Sequence, residues 1–135
     1  MEEKVRRRTV QRSIIYQTLV RDKSHPSAQE LHRKVKRRVP HISFGTVYRT
    51  LNLLKEQGLI QELPMGDDAS RWDGNSSSHY HFVCRGCQKI TDLSLPVRKD
   101  LDRKLEGLTG LKVFNHRLEF YGLCANCQDI QREGR

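Results

Sequence analysis

Two C-x-x-C pairs, Cys84-Arg85-Gly86-Cys87 and Cys124-Ala125-Asn126-Cys127, constrain this chain more than any other feature. Thiolates at that spacing suit one tetrahedral metal, and a closed four-sulfur site ties together segments that lie far apart in the chain. The separation between the pairs exceeds that of a zinc ribbon, so local spacing alone does not bring them together. A redox pair is the competing use of C-x-x-C, but no βαβ pattern surrounds either motif. A structural Zn2+ on Cys84, Cys87, Cys124 and Cys127 is therefore expected. Only 36% of the 135 residues are hydrophobic, thin for one large core. Two modest cores, helped by metal or a partner subunit, suit the chain better.

A second cluster overlaps the first. His79 and His81 are two apart, so on a strand they share one face and can share one metal. Asp73 and Asp92 bracket them. Taken singly, each has an ordinary use: a turn residue, a surface acid, a polar filler. Together, imidazole and carboxylate donors suit Fe(II), Mn(II) or Zn(II), without the thiolates that lock in zinc. One site for structure and one for sensing is the resulting picture.

The charge of the whole chain points to a polyanion. Lys and Arg number 25 against 16 Asp and Glu, a formal net charge of +9, and nucleic acid is the first candidate partner. No run of about 18 apolar residues and no signal peptide is visible, so a cytoplasmic location without a membrane partner is expected. Residues 1–8 carry Lys4, Arg6, Arg7 and Arg8, either a solvated frayed end or a basic arm along DNA. Thr9 is placed to cap a helix through Val20. Ser27 and Glu30 form a capping box that opens a second helix, stopped by Pro40. Ser43 caps a third helix through about Gln57, ended by Gly58. Phe44, Val47, Leu51 and Leu54 form its inner stripe; Gly45, Thr46, Arg49 and Asn52 face away, with Tyr48 at the edge. A short polar face with Arg and Tyr suits a major groove. Residues 59–63 and 69–73, around a Pro-Met-Gly-Asp-Asp turn, read as a β-hairpin. Three helices closed by a hairpin make a winged helix-turn-helix.

Beyond the flexible joint Gly74–Ser78, strands are expected at Tyr80–Cys84 and Ile90–Leu93. Pro96 begins a helix with Val97, Leu101, Leu105 and Leu108 on one stripe, ended by Gly110. Leu111 to Tyr121 alternates as a strand, with Phe114, His116, Leu118 and Phe120 on one face. A short polar tail follows the last cysteines. Strands in so small a lobe want an edge partner, and a dimer formed by sheet extension would provide one. The fold class is thus α+β: a winged helix-turn-helix over 1–73, a hinge over 74–78, and a small α/β dimerisation and metal-binding lobe over 79–135.

The residues in combination resemble the ferric uptake regulator family along almost the whole chain, and within it the peroxide-sensing repressors. The resemblance is carried by His25-Pro26-Ser27-Ala28, Ile42-Ser43 with Thr46-Val47-Tyr48-Arg49, and Gly66-Asp67 with Ser70-Arg71. It continues through His79-Tyr80-His81 to Cys84-x-x-Cys87, and His116-Arg117-Leu118-Glu119 through Tyr121-Gly122 to Cys124-x-x-Cys127. It implies a homodimer on double-stranded operator DNA, an inverted repeat, contacted through Ser43, Thr46, Tyr48 and Arg49. It implies structural zinc on the four cysteines and regulatory Fe2+ or Mn2+ on His25, Asp73, His79, His81 and Asp92. Periodicity does not single out His25, whose ordinary use is a helix-entry residue before Pro26. Aspartate at 73 and 92 resembles the peroxide sensors, where iron-uptake regulators commonly have glutamate. The implied chemistry is oxidation of His25 or His79 by peroxide at bound Fe(II), with loss of metal and release of DNA. Many relatives carry a further metal site near His116; here Tyr80 and Lys99 stand where those have acids, so His116 is expected to be structural. His32 and His41 are expected to be solvated.

Two alternatives remain. A metal-uptake repressor would respond to iron, manganese or zinc level itself. A zinc hydrolase would need a metal-bound water and a general base, and Glu62 is the nearest glutamate.

Overall fold

A computed structural model describes residues 2–133. Met1 of the basic segment and Gly134 and Arg135 of the polar tail lie outside the described residues. The chain divides into two compact units, Met1–Ser76 and Ser77–Arg135. No described helix is long and apolar enough to cross a membrane.

The first unit contains α1 (Glu2–Arg21), α2 (Ala28–Val35), α3 (Phe44–Glu56), β1 (Gln61–Met65) and β2 (Asp68–Asp73). The basic segment is therefore not an arm: residues 2–8 are the first turns of α1. Good helix formers fill them, Glu2 and Glu3 precede Arg6 and Arg7 by four residues, and acids begin the helix while Arg21 ends it. Thr9 is not a cap but sits mid-helix, its hydroxyl donating to the Val5 carbonyl at 3.0 Å. Only the second half of α1 reaches the core, through Ile15 and Leu19.

The capping box at Ser27 and Glu30 is present in both directions. The second helix stops before Pro40, at Val35, and residues 36–42 descend through turns in which Val39 N–H meets the Val35 carbonyl. Proline restricts only the residue before it, Val39, so Pro40 bars the helix from continuing but does not set its end at Val35. Ser43 caps α3 by accepting the Thr46 N–H at 3.1 Å. At the other end Gly58, with φ +74°, donates to Lys55 while Leu59 donates to Leu54, a Schellman closure that a side chain at 58 would strain. Val47, Leu51 and Leu54 are buried as the stripe requires; Phe44 is exposed, and Thr50 is buried in addition. The antiparallel hairpin β1–β2 turns at Gly66-Asp67 and carries Trp72, 1% exposed, into the helical core. Three helices and a hairpin wing form the expected winged helix-turn-helix.

The second unit contains β3 (Tyr80–Cys84), β4 (Ile90–Leu93), α4 (Lys99–Thr109), β5 (Glu119–Gly122) and α5 (Ala125–Glu133). The sheet order is β4-β3-β5, with β3 antiparallel to β4 and parallel to β5. Gly110, with φ +71°, ends α4. One expectation is corrected here. The long strand over 111–121 is confined to Glu119–Gly122; the residues before it have alternation but no ladder partner among the described residues, and Phe114 is 85% exposed. The last cysteines and the short polar tail lie at and in a helix, α5. Neither α4 nor α5 has a buried residue, and Leu101, Leu105 and Leu108 are exposed.

Candidate metal centres and nucleic-acid surface

The four cysteines meet within the second unit. Cys84 ends β3, the turn to β4 carries Cys87, and Cys124 and Cys127 enter α5 after β5. The parallel pairing of β5 with β3, which sets Cys84 beside Gly122, brings the distant pairs together. One ligand atom of each residue lies within 4.8 Å of every other. A Zn–S bond of about 2.3 Å puts tetrahedral sulfurs about 3.8 Å apart; Cys87 Sγ and Cys124 Sγ stand 4.0 Å apart. Gly86 permits the approach, because a Cβ there would lie 2.8 Å from Cys127 Sγ. Gln88, with φ 65°, closes the turn by donating its N–H to the Cys84 carbonyl at 2.8 Å.

The charges also fit a cation. The N–H groups of Cys124 and Cys87 each donate to Cys84 Sγ at 3.4 Å. These bonds outweigh desolvation and bring its thiol down to about 6. Cys127, beside the sulfurs of Cys84 and Cys124, is pushed up to about 12. The cluster favours one thiolate and resists the next, so holding all four as thiolates requires a positive ion among them.

Of the imidazole and carboxylate residues, His25 and Asp73 belong to the first unit and His79, His81 and Asp92 to the second. In the first unit, His25 Nδ1 stands 3.6 Å from Asp73 Oδ1, with His25 2% and Asp73 3% exposed. His25 adopts φ 55°, an uncommon backbone for a residue with a side chain, at a cost on the order of 1–3 kcal/mol. The surroundings hold it there. Arg71 donates to the carbonyls of His25 and Ser24, Trp72 N–H donates to the Pro26 carbonyl, and Asp22 accepts from the N–H and hydroxyl of Ser24. Asp73 Oδ1 accepts the Asn75 N–H at 2.9 Å.

In the second unit, His79 Nε2 and His81 Nε2 each lie 3.3 Å from Asp92 Oδ1, and the imidazole centroids are 4.4 Å apart. Register places this acid: Asp92 of β4 faces His81 of β3. His79 Nδ1 is 2.6 Å from the Ser77 carbonyl, which can only accept, so Nδ1 carries the proton. In a neutral ring Nε2 then presents a lone pair to a carboxylate oxygen. Two negative ends at that distance call for a cation, a proton or a metal. A ring that donates its other nitrogen to a carbonyl is also the usual second-shell arrangement of a metal-ligating histidine.

Other histidines have different work. His116 donates from Nδ1 to Asp102 Oδ1 at 2.6 Å, and its Nε2 meets the Tyr80 hydroxyl at 2.8 Å. Both nitrogens are committed, so His116 does not fit a further metal. His32 is not solvated as expected: its Nε2 bonds the Ile42 carbonyl at 2.9 Å and its ring meets Phe44 edge-on. His41 is exposed. Glu62 pairs with Lys55 at 2.8 Å, which accounts for it on the wing of the first unit.

On α3, Tyr48 and Arg49 are exposed, with Tyr48 stacked on Phe44 at 6.0 Å. Ser43 and Thr46 are engaged with each other through their hydroxyls at 2.9 Å, and Arg49 donates to Thr46 at 3.4 Å. Arg49 and Thr46 also line a cleft of about 400 Å³ with Arg8, Gln11 and Arg12 of α1. Arg12 was not among the sequence candidates. Extending the helical period back through residue 8 would have found it, since Arg8 and Arg12 are four apart on one helix face.

The chain matches the model of the ferric uptake regulator family over residues 3–121. It is 38% identical over 121 residues to the peroxide-responsive repressor PerR of Staphylococcus aureus, covering 90% of this chain and 82% of that protein. The fold is similar to the peroxide stress regulator of Campylobacter jejuni, with a TM-score of 0.80 and 31% identity over 93% of this chain and 95% of that one. It is also similar to the ferric uptake regulator of Helicobacter pylori, described as having three functional metal binding sites, with a TM-score of 0.72 and 26% identity over 87% of this chain and 79% of that one. The chain belongs to the ferric uptake regulator family.

Proposed function

We propose that this protein is a metal-dependent, dimeric repressor of transcription that senses hydrogen peroxide through oxidation of a ligand histidine. The observation that carries the reading is the donor chemistry around Asp92. Two imidazole nitrogens converge on one carboxylate oxygen with no thiolate in the group, which suits Fe2+ or Mn2+. In this reading His25 and Asp73 of the first unit and His79, His81 and Asp92 of the second ligate one regulatory metal. Cys84, Cys87, Cys124 and Cys127 hold structural Zn2+. A metal that needs donors from both units fixes their arrangement, and it shifts the population only as far as it prefers that arrangement.

Held by these residues, Fe(II) would mediate the cleavage of peroxide beside the ligand imidazoles, one oxygen atom going to a ring that is oxidised by two electrons overall and the other leaving as water. His25 and His79 are the rings expected to take up an oxygen atom, after which the donor set weakens and DNA is released. Tyr48 and Arg49 read bases, Ser43 and Thr46 lie at the helix end that meets the duplex, and Arg8, Arg12 and the wing neutralise phosphates. The exposed apolar stripe of α4 and the unladdered residues 111–118 are the surface for a second copy of the chain, and the operator is accordingly an inverted repeat. A DNA partner places the protein in the cytoplasm, and regulation rather than turnover is its role.

Mass measurement tests the sensing step. Protein loaded with Fe(II) without oxygen is exposed to limited peroxide, and the peptides carrying His25 and His79 are weighed. A gain of one oxygen atom on either, absent with Mn(II), is expected. Both peptides unmodified would favour the second reading, a metal-uptake repressor, which the similarity to the Helicobacter pylori ferric uptake regulator supports. Oxidation confined to cysteines would make the zinc site the switch.

A further inference from the structure

One hydrogen-bonded chain in the second unit has no part in holding metal. Tyr80 lies in β3 between His79 and His81, and the residue is 3% exposed. A buried phenol needs partners for its hydroxyl. The Arg98 N–H, at the start of α4, donates to Tyr80 Oη at 2.8 Å. A backbone N–H can only donate, so the Tyr80 proton is directed to His116 Nε2 at 2.8 Å. His116 Nδ1 carries the remaining proton and donates to Asp102 Oδ1 at 2.6 Å, on α4. Donor and acceptor roles agree along the whole chain with a neutral imidazole. Four groups from β3, α4 and the segment before β5 are thereby joined, and Tyr80 also meets Phe120 of β5 edge-on at 6.4 Å.

We infer that Tyr80, His116 and Asp102 form a metal-free clamp that fixes β3 where His79 and His81 meet Asp92, making Tyr80 and His116 positioning residues for the regulatory site. The inference rests on the regulatory-site reading above. Its physical basis is the pleat: side chains alternate along a strand, so a shift or rotation that frees Tyr80 moves both of its neighbours together. His81 pairs with Asp92 across the strands, and both imidazoles approach one oxygen, so a small displacement of β3 disturbs two metal bonds at once. The clamp acts from the far side of the strand and touches no ligand.

The test is Mn(II) affinity of the full-length, zinc-containing protein, measured with zinc content and far-UV circular dichroism on the same samples. Tyr80→Phe removes only the hydroxyl, and His116→Ala removes the middle of the chain. Each is expected to weaken Mn(II) binding roughly tenfold, the lower end of what outer-shell partners contribute, with zinc content and helicity unchanged. The double variant is expected to lose no more than either single one, because both break the same chain. Asp102→Asn keeps an acceptor for His116 and should bind Mn(II) nearly as the unaltered protein does, whereas Asp102→Ala should not. Unaltered Mn(II) affinity in both Tyr80→Phe and His116→Ala overturns the inference, as does loss of zinc in parallel with manganese. His81→Ala separates the two levels: if it retains full Mn(II) affinity, the regulatory-site reading itself fails.

Discussion

Between Glu2 and Ser76 the chain closes a core of its own, in which Ile15, Leu19, Leu31, Val35, Val47, Leu51, Leu54, Ile60 and Trp72 are buried together. From Ser77 onward the buried apolar residues are Tyr80, Val83, Cys84 and Ile90, while Leu101, Leu105, Leu108, Leu111 and Phe114 face outward. The first unit is held by ordinary burial, helix caps and a hairpin. The second brings its chemistry, four thiols and the His79-His81-Asp92 group, to a scaffold with little apolar support. Small lobes of this kind depend on metal or on a partner. A unit that is stable without ligand can present a recognition helix; one that depends on metal can report on metal.

Removing the structural metal should separate the units most sharply. Cys84→Ser, or chelation of zinc, is expected to unfold the second unit, because structural zinc binding on the order of 10–16 kcal/mol is folding free energy. Hydrogen exchange should show protection lost across β3, β4 and β5 and retained in α2 and α3. Equal loss in both units would break the comparison. A core truncation comes next: Leu51→Ala should cost the first unit about 2–5 kcal/mol in denaturant unfolding. Leu105→Ala, at an exposed position of α4, should change protomer stability by no more than about 0.5 kcal/mol while weakening self-association in analytical ultracentrifugation.

Smaller effects sharpen the assignment within the first unit. Arg49→Ala should cost about 1–3 kcal/mol of DNA binding and relax preference at one base position. A uniform loss across sequences would make Arg49 a phosphate contact instead. Ser27→Ala removes the hydroxyl that accepts the Glu30 N–H, leaves the Ser27 backbone N–H to Glu30, and should cost about 1 kcal/mol of stability. The effect should be confined to the first unit, with the zinc content of the second unaltered.

Much of this was legible in the sequence where the signal is local. The capping box at Ser27, the cap at Ser43, the glycine ends at Gly58 and Gly110, and strands β3 and β4 follow from capping, left-handed glycine and alternation. The cysteines could be paired by chemistry, though only the parallel β5–β3 ladder explains how they meet. Failures occurred where one pattern serves two environments. Charged residues 2–8 suit a solvated arm and a solvated helix equally, and the i, i+4 placement of Glu2 with Arg6 and Glu3 with Arg7 decides for the helix. Residues 111–118 alternate like a strand, but alternation describes two faces and supplies no hydrogen-bonding neighbour. His32 and His116 carried no signal of their partners, because Ile42, Tyr80 and Asp102 are neighbours only in the folded units. The role of His25 came from resemblance, and its left-handed backbone is visible only in three dimensions.

The central claim is that one regulatory metal takes donors from both units. Mn(II) affinity of the zinc-containing protein, measured for His25→Ala, His81→Ala and the double variant, tests it directly. A shared site predicts that either single substitution weakens Mn(II) binding and that the double variant is far from the sum of the two. His25→Ala binding Mn(II) as tightly as the unaltered protein, with the loss confined to His81→Ala, would contradict it and leave the second unit holding its metal alone.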